Sequence, residues 1–208
     1  MDIQYYGANC ITLTVKGARV VIDDNLADLG GKTINKAGDI VLYTGAAHGT
    51  ANKEARIVID SPGEYEVADV SIVGIPARAH MDEGGLNATM YKVTVNDMTV
   101  FITGHIYPDL SDRQLETIGM VDVMFVPVGG HGYTLDPIGA LKVLKAVEPK
   151  IVIPTHYEEK GVNFEVGQTD LKSALHELSM EPKETVAKLR LKPVELTDTT
   201  QLIVLEKS

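Results

Sequence analysis

Residues 121–128 read Val-Asp-Val-Met-Phe-Val-Pro-Val, and Ile151–Ile153 gives a second apolar run a short way on. Such near-continuous runs predict strands buried on both faces, which calls for a sheet covered by other layers. The segment between them reads as a helix. Asp136-Pro137 supplies an N-cap and a proline at the first helical position. Ile138–Val147 then places Leu141, Leu144 and Val147 on one stripe, with Lys142 and Lys145 off it, and Pro149 ends the pattern. A further helix is expected over Ser111–Ile118, where Ser111 and Gln114 form a capping-box pair. An amphipathic helix is expected over Leu171–Leu178. The second half of the chain thus alternates helices with buried strands.

The first half has the other period. Ile3–Tyr6, Ile11–Val15 and Arg19–Ile22 read as strands, the last two joined by the turn Lys16-Gly17-Ala18. Asp23–Gly38 is loop-like. Ile40–Tyr43 and Arg56–Ile59 follow, and then two hairpins with turns at Ala68-Asp69 and Asn96-Asp97. Residues 185–192 and 201–206 are expected as closing strands. Hairpins first and helix–strand alternation afterwards predict an α/β (α+β) chain with sheets packed face to face and helices outside, in one domain over 1–208.

Composition narrows the function. Of 208 residues, 44% are apolar and 23% charged, as in an ordinary globular protein. No apolar run reaches the roughly 18–20 residues that span a bilayer. The N-terminus enters a strand pattern at once, without a leader signature, and the single cysteine, Cys10, allows no internal disulfide. The expected location is the cytoplasm. A net charge of -10 with scattered lysines and arginines opposes a broad nucleic-acid groove.

Five of the six histidines follow predicted strands: His48, His80, His105, His131 and His156. Loops at strand ends can converge while the sheet fixes their backbone, which suits a metal or acid–base site. His176 lies within the last helix and reads as a surface residue. Other nucleophiles and bases are poorly placed for chemistry. Cys10 reads as a buried inert thiol, Ser61 as part of the turn at Pro62-Gly63, and Glu64 and Glu66 as the solvated face of a short strand. No catalytic residue is assigned from these positions.

Three blocks carry a resemblance. The opening Tyr5-Tyr6-Gly7-Ala8-Asn9-Cys10 leads to a strand ending in Asp23. Pro62-Gly63-Glu64-Tyr65-Glu66 comes next. Then follow Pro127-Val128-Gly129-Gly130, Tyr133-Thr134-Leu135-Asp136 and Glu148-Pro149-Lys150-Ile151-Val152-Ile153-Pro154-Thr155-His156-Tyr157. Together they resemble the metallo-β-lactamase superfamily, in the branch containing L-ascorbate-6-phosphate lactonase-like proteins. The resemblance implies an αββα sandwich, two mixed β-sheets flanked by helices, with a site at one edge. It also implies a His-x-His-x-Asp-His loop, a later His, an Asp and a final His, holding one or two metals, usually zinc.

Carried over residue by residue, that loop falls on Gly45-Ala46-Ala47-His48-Gly49-Thr50. Its first His becomes Gly45, its second Ala47, its Asp Gly49 and its last His Thr50, with His48 one place out of register. The later His falls near His80, the bridging Asp on His105, and the final His on His156. Glycine and alanine bring no donor, a neutral hydroxyl is a poor zinc ligand, and imidazole has one lone pair where a carboxylate has two oxygens. A two-metal centre is therefore not expected. The first expectation is a chain with no bound metal and a binding or structural role. The alternative is a hydrolase of small lactones or phosphoesters using one zinc held by His80, His105 and His156 with His48. A small anionic partner is expected to meet Arg78, Gly130 and His131.

Overall fold

The protein is described by a computed structural model that covers residues 1–45, 53–192, 196–197 and 199–208. Two mixed sheets face each other. The first has six strands: β1 (Asp2–Gly7), β2 (Cys10–Val15), β3 (Ala18–Ile22), β4 (Ile40–Leu42), β5 (Ile57–Ile59) and the short β13 (Leu189–Arg190), in the order β13-β1-β2-β3-β4-β5. The second has eight: β6 (Gly63–Val67), β7 (Val70–Ala77), β8 (Ala88–Val95), β9 (Met98–Ile102), β10 (Val123–Pro127), β11 (Ile151–Thr155), β12 (Pro182–Val186) and β14 (Gln201–Leu205). Their order is β12-β14-β11-β10-β9-β8-β7-β6. The helices are α1 (Asp112–Ile118), α2 (Pro137–Val147) and α3 (Leu171–Leu178), each lying in a crossover of the eight-stranded sheet. The expected fold class is the one observed.

The apolar runs behave as their composition requires. All five residues of β10 and all five of β11 are buried. Each large apolar side chain taken from water there contributes roughly 1.5–3 kcal/mol. The helices start where their caps dictate. Ser111 and Gln114 form the reciprocal capping box of α1, Asp136 accepts from Gly139 N ahead of α2, and Asp170 accepts from Ser173 N ahead of α3. α2 stops at Glu148, which turns left-handed at φ 50 just before Pro149. Asn96 and Asp97, at φ 49 and 63, make the expected turn between β8 and β9.

One expectation fails at the end of the chain. Residues 185–192 do not form a single strand. β12 ends at Val186 in the larger sheet, and β13 pairs with β1 in the smaller one. Ala187 and Lys188 carry the chain from one sheet to the other, a long-range choice that local pattern does not encode. Among the described residues no helix is long and apolar enough to cross a membrane.

Parallel pairing sets the strand ends. β9, β10 and β11 run in the same direction, with Ile102 beside Phe125 and Pro127 beside Thr155. In the smaller sheet β3 and β4 are parallel too, with Ile22 beside Leu42. The two sheets touch at this edge. A Cβ on Gly104, which stands at φ +63, would lie 2.4 Å from Thr44 Cβ, so only glycine lets the end of β9 approach the end of β4. Two polar groups tie the same region together. The Tyr91 hydroxyl of β8 crosses between the sheets to Tyr43 O (3.1 Å) and Ile59 O (3.2 Å). Asp23, just past β3, accepts from Thr44 N and Thr44 Oγ1, each at 2.7 Å.

Both ties generate measurable expectations. Tyr91→Phe removes the hydroxyl that links these carbonyls to the facing sheet and should cost about 1–2 kcal/mol in urea unfolding. Burial pushes the Asp23 carboxyl up to about 6 despite its two hydrogen bonds to Thr44. The folded chain therefore holds this proton more tightly than the unfolded chain does. The contribution of Asp23 to stability accordingly falls as pH rises from about 4 to about 6. Urea unfolding of Asp23→Asn beside the parent should show the difference moving in the variant's favour by about 3 kcal/mol across that window. A difference independent of pH would contradict a carboxyl held protonated by burial.

Candidate active site

The loops after β9, β10 and β11 deliver three rings to one place. His105 and His156 stand edge to face with centroids 4.6 Å apart and planes at 88°. Tyr133 lies 5.0 Å from His105 and stacks on His156 at 5.7 Å and 23°. Phe164 covers the other flank of His156 at 4.7 Å. Burial lowers the pKa of both imidazoles, to about 4 for His156 and well below the ordinary range for His105, with further lowering of His105 by His156 and His80. Both rings are therefore neutral at pH 7, the state in which imidazole offers a lone pair.

The first hairpin reaches this cluster from the smaller sheet. Gly7 and Ala8 turn with φ 110 and 51, and the turn is clamped from across the fold. Glu159 Oε2 accepts from Ala8 N (3.1 Å) and from the buried Tyr5 hydroxyl (2.7 Å), while His156 N donates to Ala8 O (2.8 Å). Asn9 is thereby set between two strand ends. Its Oδ1 accepts from Thr155 Oγ1 (2.9 Å) and its Nδ2 meets His105 Nε2 (3.0 Å). The Tyr-x-Gly-x-x-Cys opening thus has a physical purpose, which is to carry this amide. Cys10 itself is buried, and burial raises its thiol well above the ordinary range, in keeping with an inert role.

The ends of the two rings differ in a way that bears on a metal. With Asn9 Nδ2 donating to His105 Nε2, the ring proton sits on Nδ1. That atom is buried and has no hydrogen-bond partner. With the amide turned the other way, Oδ1 accepts from Nε2–H, and Nδ1 carries a free lone pair instead. An unpaired buried N–H costs about 1–3 kcal/mol. A lone pair meeting a cation carries no such penalty. Two neutral imidazoles, one with an orphaned nitrogen, match the donor preference of zinc. They fit one ion better than two, because no carboxylate stands at the bridging position held by His105.

The remaining expected residues are spread more widely. His80 backs the pair: its N–H bonds His105 O (2.9 Å), and its Nδ1 lies 3.2 Å from Ile106 O. Among the described residues no three His, Cys, Asp or Glu side chains stand close enough to enclose an ion. His80 is therefore one step behind the pair. His48 and the loop positions Ala46, Ala47, Gly49 and Thr50 lie outside the described residues. Arg78 is turned elsewhere, with its guanidinium 3.7 Å from the Tyr107 ring and its Nε 2.5 Å from Asp82 O. It lines a groove of about 740 Å³ with Arg113 and Gln114. His131 is exposed, and the Gly130 N–H is committed to Leu135 O (3.0 Å) within its own turn, so it does not cradle an anion there. Asn9, Tyr133 and Phe164 were not singled out by the sequence reading. Only Asn9 and Tyr133 lay inside blocks that could have flagged them.

Comparison with known proteins corrects two expectations. Residues 2–156 match the family described as beta-lactamase superfamily domain. A protein of Pyrococcus horikoshii named UPF0173 metal-dependent hydrolase is 30% identical over 142 residues, 61% of this chain and 62% of its own length. A Pyrococcus furiosus protein of the same name is 30% identical over 141 residues, again 62% of its length, so the match spans under two thirds of these relatives. A crystal structure from Thermotoga maritima, assigned as a Zn-dependent hydrolase of the metallo-β-lactamase superfamily, superposes with a TM-score of 0.74. It is 26% identical and covers 99% of this chain and 98% of its own. A metallo hydrolase from Ignicoccus hospitalis, 18% identical, shares the fold with a TM-score of 0.65 over 99% of this chain and 95% of its own. These relatives, named metal-dependent or Zn-dependent hydrolases, overturn the expected non-catalytic binding or structural role, and with it the expectation of no bound metal. They favour the alternative, a metal-dependent hydrolase, whose imidazoles come from the later strands rather than from the loop at 45–50. The chain belongs to the family described as beta-lactamase superfamily domain, within the metallo-β-lactamase superfamily.

Proposed function

We propose that this protein is a metal-dependent hydrolase that works with a single ion at a reduced histidine site, on a small lactone or phosphoester. The observation that carries this reading is the neutral, edge-to-face pair of half-buried His105 and buried His156, with the buried Nδ1 of His105 left without a partner. The relatives named metal-dependent hydrolases support it. His105 and His156 would hold the ion, with His80 next in line. Zinc bound there would lower the pKa of its water to about 7 and supply a nucleophile at neutral pH.

The chain's own groups do the rest. Tyr133 and Phe164 shield His156 from bulk water, which keeps the imidazole unprotonated and strengthens its interaction with charge. Burial raises the Tyr133 phenol, so its hydroxyl stays protonated at neutral pH and can donate to a substrate oxygen. Asn9 keeps His105 in place from the side of the first hairpin.

Elemental analysis of protein purified without chelators, before and after zinc addition, tests the proposal. About one zinc per chain is expected, lost in both His105→Ala and His156→Ala. Hydrolysis of a panel of lactones, phosphoesters and simple esters should then depend on the added ion and fall at least 100-fold in either variant. A chain that takes up no zinc, or keeps it in both variants, would sink the reading.

A further inference from the structure

Gln168 lies in the long connection between β11 and α3, twelve residues beyond His156, and is 8% exposed. Its Oε1 stands 3.2 Å from His156 Nδ1, and its Nε2 donates to Val166 O at 2.7 Å. The second contact decides the first. A carbonyl can only accept, so the NH2 end of the amide must face Val166 and the oxygen end must face His156. An oxygen without a hydrogen beside Nδ1 requires that nitrogen to carry the ring proton, which leaves the lone pair on Nε2.

The surroundings hold the amide there. Thr169 N donates to Gly129 O (2.8 Å), Glu158 N donates to Thr169 O (2.9 Å), and Glu158 and Asp170 form a parallel bridge. Gly129, the first glycine of Pro127-Val128-Gly129-Gly130, makes the space. A Cβ at that position would stand 2.1 Å from Gln168 Oε1 and 2.1 Å from His156 O. That glycine is needed for the amide to reach the imidazole.

We infer that Gln168 is a positioning residue, which fixes His156 as the Nδ1–H tautomer and so keeps Nε2 as its coordinating or proton-accepting nitrogen. The inference deepens the hydrolase reading by giving His156 a single usable nitrogen, and its consequence for metal binding rests on that reading. An outer partner that sets the tautomer of a ligating histidine is typically worth 10–100-fold in metal affinity.

The test reads the tautomer directly. Nitrogen-15 spectra of the metal-free protein, with His156 assigned by its loss in His156→Phe, should show Nδ1 protonated and Nε2 bare. In Gln168→Leu the Nδ1–H form should lose its dominance, and zinc affinity by titration should fall roughly 10–100-fold. Gln168→Glu, which keeps an oxygen at that place, should retain the tautomer. If the leucine variant does not fold, Gln168→Met removes the oxygen at similar length and is read the same way. A native chain with Nε2 protonated, or a leucine or methionine variant that keeps Nδ1–H with unchanged zinc affinity, overturns the inference. A native chain that shows the expected tautomer, loses it in the variant, yet takes up no zinc leaves the role of Gln168 standing and removes the hydrolase reading instead.

Discussion

The parallel register of β9, β10 and β11 is the constraint from which the site follows. With Ile102 beside Phe125 and Pro127 beside Thr155, three strands end close together at one edge of the eight-stranded sheet. The chain leaving each end contributes one ring, His105, Tyr133 and His156 respectively. Strand pairing therefore does most of the positioning, and short loops need only turn each side chain inward. That arrangement is robust, because β10 and β11 are buried along their whole length and cannot slip without exposing apolar surface.

Around this edge the two sheets are joined by polar ties rather than by apolar packing alone. Thr44 O takes the Thr89 N–H and Tyr43 O takes the Tyr91 hydroxyl, both from β8 of the larger sheet; Glu159 clamps the Gly7–Ala8 turn. Each tie is buried or nearly so, where an unpaired partner would be costly. Burial also leaves its mark on acid–base behaviour. It raises the Asp23 and Glu159 carboxyls and lowers the two imidazoles, so the edge carries less charge than its residue types suggest. A site dressed in this way offers uncharged donors to a cation and little competition from protons at neutral pH.

The loop at 45–50 taken alone points to a chain without metal, and the relatives named metal-dependent hydrolases point the other way. Gly45-Ala46-Ala47-His48-Gly49-Thr50 lacks the family's early ligands, and that loss is real in the sequence. The imidazoles of the later strands survive it, because they are positioned by the other sheet. The proposed site draws its imidazoles from that larger sheet alone, a reduced donor set with which the hydrolase names of the relatives are compatible.

Sequence by itself determined the layers. Apolar runs at Val121–Val128 and Ile151–Ile153 demanded a covered sheet, and the caps at Ser111 and Asp136 with the amphipathic stretch Leu171–Leu178 placed the helices to within a residue. Burial period and capping are local properties, so they are visible in the chain. It also marked His105 and His156, as strand-end histidines within recognisable blocks. What only the tertiary structure decided was which groups meet. The amide of Asn9 reaches a histidine 96 positions away, Arg78 turns to Tyr107 rather than to the imidazoles, and residues 182–190 divide between two sheets. Such contacts depend on directions set by the whole fold, and no spacing along the chain carries that information.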